Sequence, residues 1–204
     1  MIAVIDYGVA NLASIMNMLR KVGTHAAVAS TARDLESADS IILPGVGAFD
    51  SGMQALIAAG LVGPITERVM EAKVPLLGIC LGMQILGRGS EEGDSSGLGL
   101  IDGYCKRFRF EADSKLKVPH MGWAVLDPLR ECVLTDDLDS KARFYFVHSY
   151  HMVCANPTDV VATATFGVTF TAVVNRGNVY GAQFHPEKSH RFGMELLSRF
   201  ANLT

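Results

Sequence analysis

The sequence of 204 residues is short of cysteine, and none of its four cysteines forms a C-x-x-C pair. Cys80, Cys105, Cys132 and Cys154 stand singly. That excludes a disulfide frame and predicts free thiols in a reducing compartment, the cytoplasm. Long apolar runs are missing too. No uncharged stretch is long enough to span a bilayer, and one of them, Val74 to Gly87, suits a buried core element. Charge of one sign is scarce: the formal net charge is -3, which points to neither nucleic acid nor an anionic membrane as partner. The first residues, Met1-Ile2-Ala3-Val4-Ile5-Asp6, have no basic segment and meet an acid at once, so they read as a strand and not as a signal peptide. No internal repeat, low-complexity tract or linker interrupts the chain. The expectation is one domain over residues 1–204, long enough to bury a useful core.

What is there is an alternation. Apolar strands are predicted at 1–5, 25–30, 40–43 and 74–79. Between them lie helical stretches: Leu12, Ile15, Met16, Leu19 and Val22 form a stripe that stops at Gly23, Thr31 or Ser30 caps a short helix through Leu35, and residues 49–60 and 64–72 follow. Strand alternating with helix predicts an open, mostly parallel sheet with helices on both faces. After a Gly-, Ser- and acid-rich loop at 89–99 the pattern changes to strand-like runs at 100–109, 116–126, 130–134, 143–154, 160–166, 170–175 and 178–184. These predict extra antiparallel strands in the second half, with Asn175-Arg176-Gly177-Asn178 as a hairpin turn. A helix from about Ser189 closes the chain, with Phe192, Leu196, Leu197, Phe200 and Leu203 on one face.

The stretch that organises the chain is Gly78-Ile79-Cys80-Leu81-Gly82. It joins the strand at 74–79 to a helix over 81–88, and a Cys between glycines at such a turn is the thiol form of a nucleophile elbow. The glycines free the backbone for the turn, and the helix N-terminus favours thiolate. Alone, the pentapeptide fits equally a Cys that merely packs. Cys105, Cys132 and Cys154, in strand-like stretches, read as packing residues.

A thiolate nucleophile needs a base and an orienting group. His185-Pro186-Glu187 ends the last strand, and residues two apart on an extended segment face the same way, so Glu187 can hold the His185 ring. Pro44-Gly45-Val46-Gly47 ends another parallel strand. Strand ends of one direction share a sheet edge, so the Val46 and Leu81 N–H groups could form an oxyanion hole there. Taken singly, His185 also fits a solvated strand end, and the glycine loop an ordinary turn. A metal site is not expected: His148 and His151, three apart in a strand-like run, should face opposite sides and make poor paired ligands.

With Gly78-Ile79-Cys80-Leu81-Gly82-Met83-Gln84 and His185-Pro186-Glu187, the chain resembles the class I (triad) glutamine amidotransferases. Pro44-Gly45-Val46-Gly47, Pro119-His120-Met121-Gly122-Trp123, Tyr145-Phe146-Val147-His148-Ser149-Tyr150-His151 and the run on to Lys188-Ser189 are similar to the glutaminase subunits of imidazole glycerol phosphate synthases. The resemblance spans essentially the whole chain. It implies a flavodoxin-like α/β fold, with Cys80 as nucleophile, His185 as base and acid, and Glu187 as orienter. It implies oxyanion N–H groups from Val46 and Leu81, and a glutamine site built from Gly45, Gly47, Gln84, Ser149 and Tyr150. It further implies a partner face at Asn11, Trp123 and Lys188, meeting a cyclase subunit that is a (β/α)8 barrel in a heterodimer of L-histidine biosynthesis, and no cofactor. The chain has Ala10 where the family commonly has Gly, and Ala124 where Asn is common.

Size gives the same expectation, since no stretch remains for an acceptor-substrate domain and the ammonia must go to another chain. Such an enzyme should be slow alone, the Pro44–Gly47 loop offering a poor oxyanion hole until the loaded partner docks. Other readings are a glutaminase of a pyridoxal phosphate or anthranilate synthase, a cysteine hydrolase of similar fold, and a binding module on an inactive amidotransferase.

Overall fold

The computed structural model describes residues 1–111 and 113–203. The first half is built as its alternation predicts. Strands β1 (Ile2–Ile5), β2 (Ala26–Ala29), β3 (Ser40–Gly45) and β4 (Leu76–Cys80) are linked by helices α1 (Leu12–Lys21), α2 (Ala32–Leu35), α3 (Phe49–Ala58), α4 (Val62–Met70) and, after β4, α5 (Leu81–Ile85). Every residue of β1, β3 and β4 is buried, as strands covered on both faces must be. Thr31 closes a capping box with Asp34 at the start of α2.

The second half contributes β5 (Gly89–Ser90), β6 (Gly103–Arg107), β7 (His120–Val125), β8 (Asp127–Pro128), β9 (Arg143–His148), β10 (Tyr150–Cys154), β11 (Val160–Phe166), β12 (Val168–Arg176), β13 (Val179–Ala182) and the closing helix α6 (His190–Ala201). The main sheet runs β2-β1-β3-β4-β13-β12-β11-β8. Its first five strands are mutually parallel, and β12, β11 and β8 add antiparallel pairings. The parallel part has the 2-1-3-4-5 order of doubly wound flavodoxin-like folds. Small sheets β10-β6-β5 and β7-β9 lie beside it.

Alternation along the strands divides the core in two. Ile2, Val4, Ile42, Leu77 and Ile79 pack with α1 and α6 on one face. Ala3, Ile5, Ile41, Leu43 and Leu76 pack with α2 to α5 on the other. Each fully buried Leu, Ile or Phe contributes about 1.5–3 kcal/mol of transfer free energy.

Three expectations are corrected. The run 143–154 is not one strand: β9 ends at His148, β10 starts at Tyr150, and the two belong to different sheets. The break at Ser149 removes the alternation on which opposite-facing His148 and His151 depended, and both rings pack against Phe108, at 5.2 and 4.7 Å between centroids. Residues 130–134 form no strand. Thr135 and Asp136 donate their backbone N–H groups to the Cys132 carbonyl in a turn. The helix expected over 81–88 is shorter, because the chain after Leu86 turns so that Arg88 N–H reaches the Gly103 carbonyl on β6.

Candidate active site

In register, Gly45 on β3 lies beside Cys80 on β4, and Ile79 beside Ala182 on β13. The strands are parallel, so the Pro44–Gly47 loop, the Cys80 turn and the segment Gln183–Glu187 leave the sheet at one edge. Cys80 itself takes the strained conformation, φ 53° and ψ −110°. A non-Gly residue there costs about 1–3 kcal/mol and persists only where its surroundings impose it. The flanking glycines serve close approach, not unusual torsion angles. A Cβ on Gly82 would fall 1.8 Å from the Leu43 carbonyl oxygen, and one on Gly78 would fall 2.7 Å from the Gly82 carbonyl oxygen. These contacts press α5 onto β3 and β4 and present its first N–H groups, which lack intrahelical acceptors, beside the sulfur.

His185 and Glu187 do not lie on an extended segment. His185 opens a 3-10 turn, Pro186–Lys188, and the turn brings the Glu187 Oε1 within 2.7 Å of the His185 Nδ1. Both side chains are 2 % exposed. The His185 N–H donates to the Tyr145 carbonyl, and the Ser189 hydroxyl donates to the His185 carbonyl. The turn is thereby tied to β9. Burial pulls the His185 imidazole down, but hydrogen bonds and charge from Cys80 and Glu187 outweigh it and hold it up at about 9. The other thiols are pushed up by burial: Cys105 far above its usual range, Cys154 to about 12, and Cys132 in the same direction.

A cavity of about 400 Å³ opens over the sulfur. Val46, Gly47, Cys80, Leu81, Gln84, Ser149, Tyr150, His185 and Lys188 line it. Gly45 lies beneath, where an added Cβ would come within 2.5 Å of the Tyr7 hydroxyl. That hydroxyl donates to the Pro44 carbonyl, and burial and the Cys80 charge hold it well above the usual tyrosine range. Glu187 sits behind His185. Asn11, exposed ahead of α1, and Trp123, half-exposed on β7, lie outside the cavity. Trp123 stacks on His190, at 5.4 Å and 6° between planes.

The Pro44–Gly47 loop spends one of the two expected oxyanion donors on another partner. The Val46 N–H donates to the Val9 carbonyl at 2.8 Å. That amide is engaged elsewhere, while the Leu81 N–H, at the first position of α5, has no acceptor within its own helix. The physical reason is local: the loop following β1 supplies an acceptor that satisfies an otherwise orphaned donor.

Two residues of the site, one on the cavity wall and one buried behind it, were not anticipated. Glu92 is the carboxylate that lines the cavity, and its Oε2 also accepts from the Phe49 N–H at the start of α3. It comes from the acid-rich loop, where no periodicity marks one acid over another. Gln183, fully buried, places its Nε2 at 3.8 Å from the Cys80 sulfur. A carboxamide inside the otherwise apolar run Val179–Phe184 was a legible signal, because buried polar groups need partners.

Among the described residues no group of three or more His, Cys, Asp or Glu could hold a metal ion, and no helix is long and apolar enough to cross a membrane.

Comparison with known proteins gives four findings. The family described as glutamine amidotransferase class-I matches residues 3–203. Imidazole glycerol phosphate synthase subunit HisH 2 of Pseudomonas aeruginosa is 51% identical over 203 residues, covering 100% of both chains. The HisH subunit of Leptospira borgpetersenii is 45% identical, again over 100% of both. Among solved structures, PurLQS from Thermotoga maritima superposes with a TM-score of 0.75 over 99% of this chain and 97% of the other at 21% identity, a likeness of fold.

Proposed function

The chain belongs to the class-I glutamine amidotransferases, and from that premise we propose that it is the glutaminase subunit of an imidazole glycerol phosphate synthase, hydrolysing L-glutamine to L-glutamate and ammonia. Residues 1–204 act as one amidotransferase domain in the cytoplasm. The observation that carries the chemistry is the Cys80–His185–Glu187 arrangement at one sheet edge, under a cavity of suitable size.

The side-chain carboxamide of glutamine docks over Cys80. Glu92, of opposite charge to an ammonium, takes the α-amino group, and backbone groups of Gly47, Ser149 and Tyr150 hold the rest. The Cys80 thiolate attacks the carboxamide carbon, and the oxyanion forms against the Leu81 N–H. The His185 imidazolium gives its proton to the nitrogen as the C–N bond breaks, and ammonia leaves. A γ-glutamyl thioester remains on Cys80. Water then gives a proton to His185 and attacks the thioester; the C–S bond breaks and glutamate departs. Glu187 holds the ring and stabilises its charged form.

Ammonia passes to the partner, a (β/α)8-barrel cyclase subunit. There it converts N′-(5′-phosphoribulosyl)formimino-AICAR into imidazole glycerol phosphate and AICAR. Asn11, Trp123 and Lys188 meet that subunit, and Lys188 joins the cavity wall to the docking face. The Val46–Val9 bond supports a second element: the isolated subunit has half an oxyanion hole, and docking of the loaded partner releases the Val46 N–H. Mixing the chain with the barrel subunit, with and without its ribonucleotide ligand, and following glutamate release tests the proposal. Glutamate without any dependence on that partner contradicts it.

A further inference from the structure

Four polar groups form a continuous hydrogen-bonded line from the cavity wall to the nucleophile. The Tyr150 carbonyl stands at its head. It receives His148 Nδ1 at 2.8 Å and Gln84 Nε2 at 3.0 Å. Gln84 Nε2 also donates to Gln183 Oε1 at 3.1 Å, and Gln183 Nε2 reaches the Cys80 sulfur at 3.8 Å.

The chemistry of the head fixes every orientation behind it. A backbone carbonyl only accepts, so Gln84 must turn its NH2 toward Tyr150. The second proton of that NH2 faces Gln183, which must therefore offer its oxygen. The Gln183 NH2 is left facing sulfur. A thiol is a weak acceptor and a thiolate a strong one, so an N–H held there favours the charged form.

We propose that Gln183 is a positioning residue of the glutaminase reaction, holding the Cys80 sulfur as a thiolate through an N–H whose direction the Tyr150 carbonyl dictates by way of Gln84. The proposal rests on Cys80 being the nucleophile. Gln183 acts through that sulfur and needs no contact with glutamine. It differs from the role of His185, which moves a proton during turnover; the Gln183 amide moves none. The other groups facing the sulfur are Tyr7 from beneath, His185 with Glu187 behind it from the β13 end, and Glu92, His148 and Lys188 around the cavity. Helix α5 carries no charged side chain.

The test is the pH dependence of Cys80 alkylation by iodoacetamide without glutamine, read at the Cys80 peptide by mass spectrometry, in the wild type, Gln183→Glu and Gln183→Met. Gln183→Glu keeps an acceptor for Gln84 and, when ionised, sets a negative charge against the sulfur in place of the N–H donor, whereas Gln183→Met removes the donor and adds no charge. Both variants should move the alkylation midpoint up by about one pH unit, a tenfold loss of thiolate. In the partner-bound enzyme kcat should fall about tenfold near neutral pH, with KM for glutamine within about twofold. A folded Gln183→Glu protein with the wild-type midpoint overturns the proposal. Should neither variant fold, the wild-type protein decides. The Gln183 side-chain amide resonance should follow the Cys80 titration and stay still in Cys80→Ala; a resonance indifferent to that titration overturns the proposal. Alkylation reports only on sulfur, whereas glutaminase activity surviving in Cys80→Ala would overturn the nucleophile assignment by itself.

Discussion

The Val46 N–H donates to the Val9 carbonyl at 2.8 Å, and it does so one residue from Gly45, which pairs with Cys80 across β3 and β4. The donor proposed for the oxyanion is thus close to the proposed nucleophile and already bonded. One oxyanion donor is worth about 100- to 1000-fold in kcat. Glutaminase turnover should therefore rise by about that factor when partner and ribonucleotide are added, with kcat and not KM carrying the change. Steady-state glutamate release checks it, and equal rates contradict it.

Glu187 should set the pH range of the reaction. The His185 imidazole is held at about 9, above its value of 6.5 when unfolded. Its protonated form therefore adds stability in full below pH 6.5, and that stability is lost as pH rises through about 9. Glu187→Gln removes one of the two supports. Its alkaline loss of thermal stability should be shallower than that of the wild type, and kcat should fall by about 100-fold. Melting curves from pH 6 to pH 10 and kcat profiles read both.

Glu92→Gln should separate binding from chemistry. The amide oxygen can still accept from the Phe49 N–H, so α3 keeps its start. The charge facing the substrate ammonium is gone. KM for glutamine should rise about tenfold with kcat nearly unchanged, the pattern of lost uniform binding. A fall in kcat alone would remove Glu92 from the substrate site.

Much of the candidate site was legible before the fold. The Cys80 elbow, the His185–Glu187 pair and the Pro44–Gly47 loop each sit where a strand ends, and parallel strands carry such ends to one edge. The reasons were less legible than the residues. Gly78 and Gly82 are needed for close approach, while Cys80 takes the positive φ. Glu187 reaches His185 through a 3-10 turn, not through strand periodicity. The break at Ser149 was hidden because Tyr145–His151 is β-forming throughout, and only the membership of β9 and β10 in separate sheets separates them. The Val46–Val9 bond joins residues far apart in sequence, and no local pattern encodes it.

The histidines gathered around Phe170 should make the protein sensitive to acid. Burial, outweighing the Tyr150 hydrogen bond and helped by neighbouring histidines, holds His148 down at about 3. Burial lowers His120 and His151 as well. The unfolded chain takes up these protons near pH 6.5 and the folded chain does not, so stability present above 6.5 is lost as pH falls toward 3. Each such proton contributes a slope of about 1.4 kcal/mol per pH unit. His120→Phe, which keeps the stacking on Phe146 and Phe166, should make the slope shallower in urea titrations between pH 4 and 6.

The central claim is that Cys80 makes ammonia from glutamine for a second protein. Cys80→Ala in the reconstituted complex tests it most directly, with imidazole glycerol phosphate formation measured once from glutamine and once from ammonium salt. The account predicts that the glutamine-dependent reaction disappears while the ammonium-dependent reaction keeps its wild-type rate. Glutamine-dependent turnover that survives the substitution, or loss of both reactions in a folded complex, would contradict it.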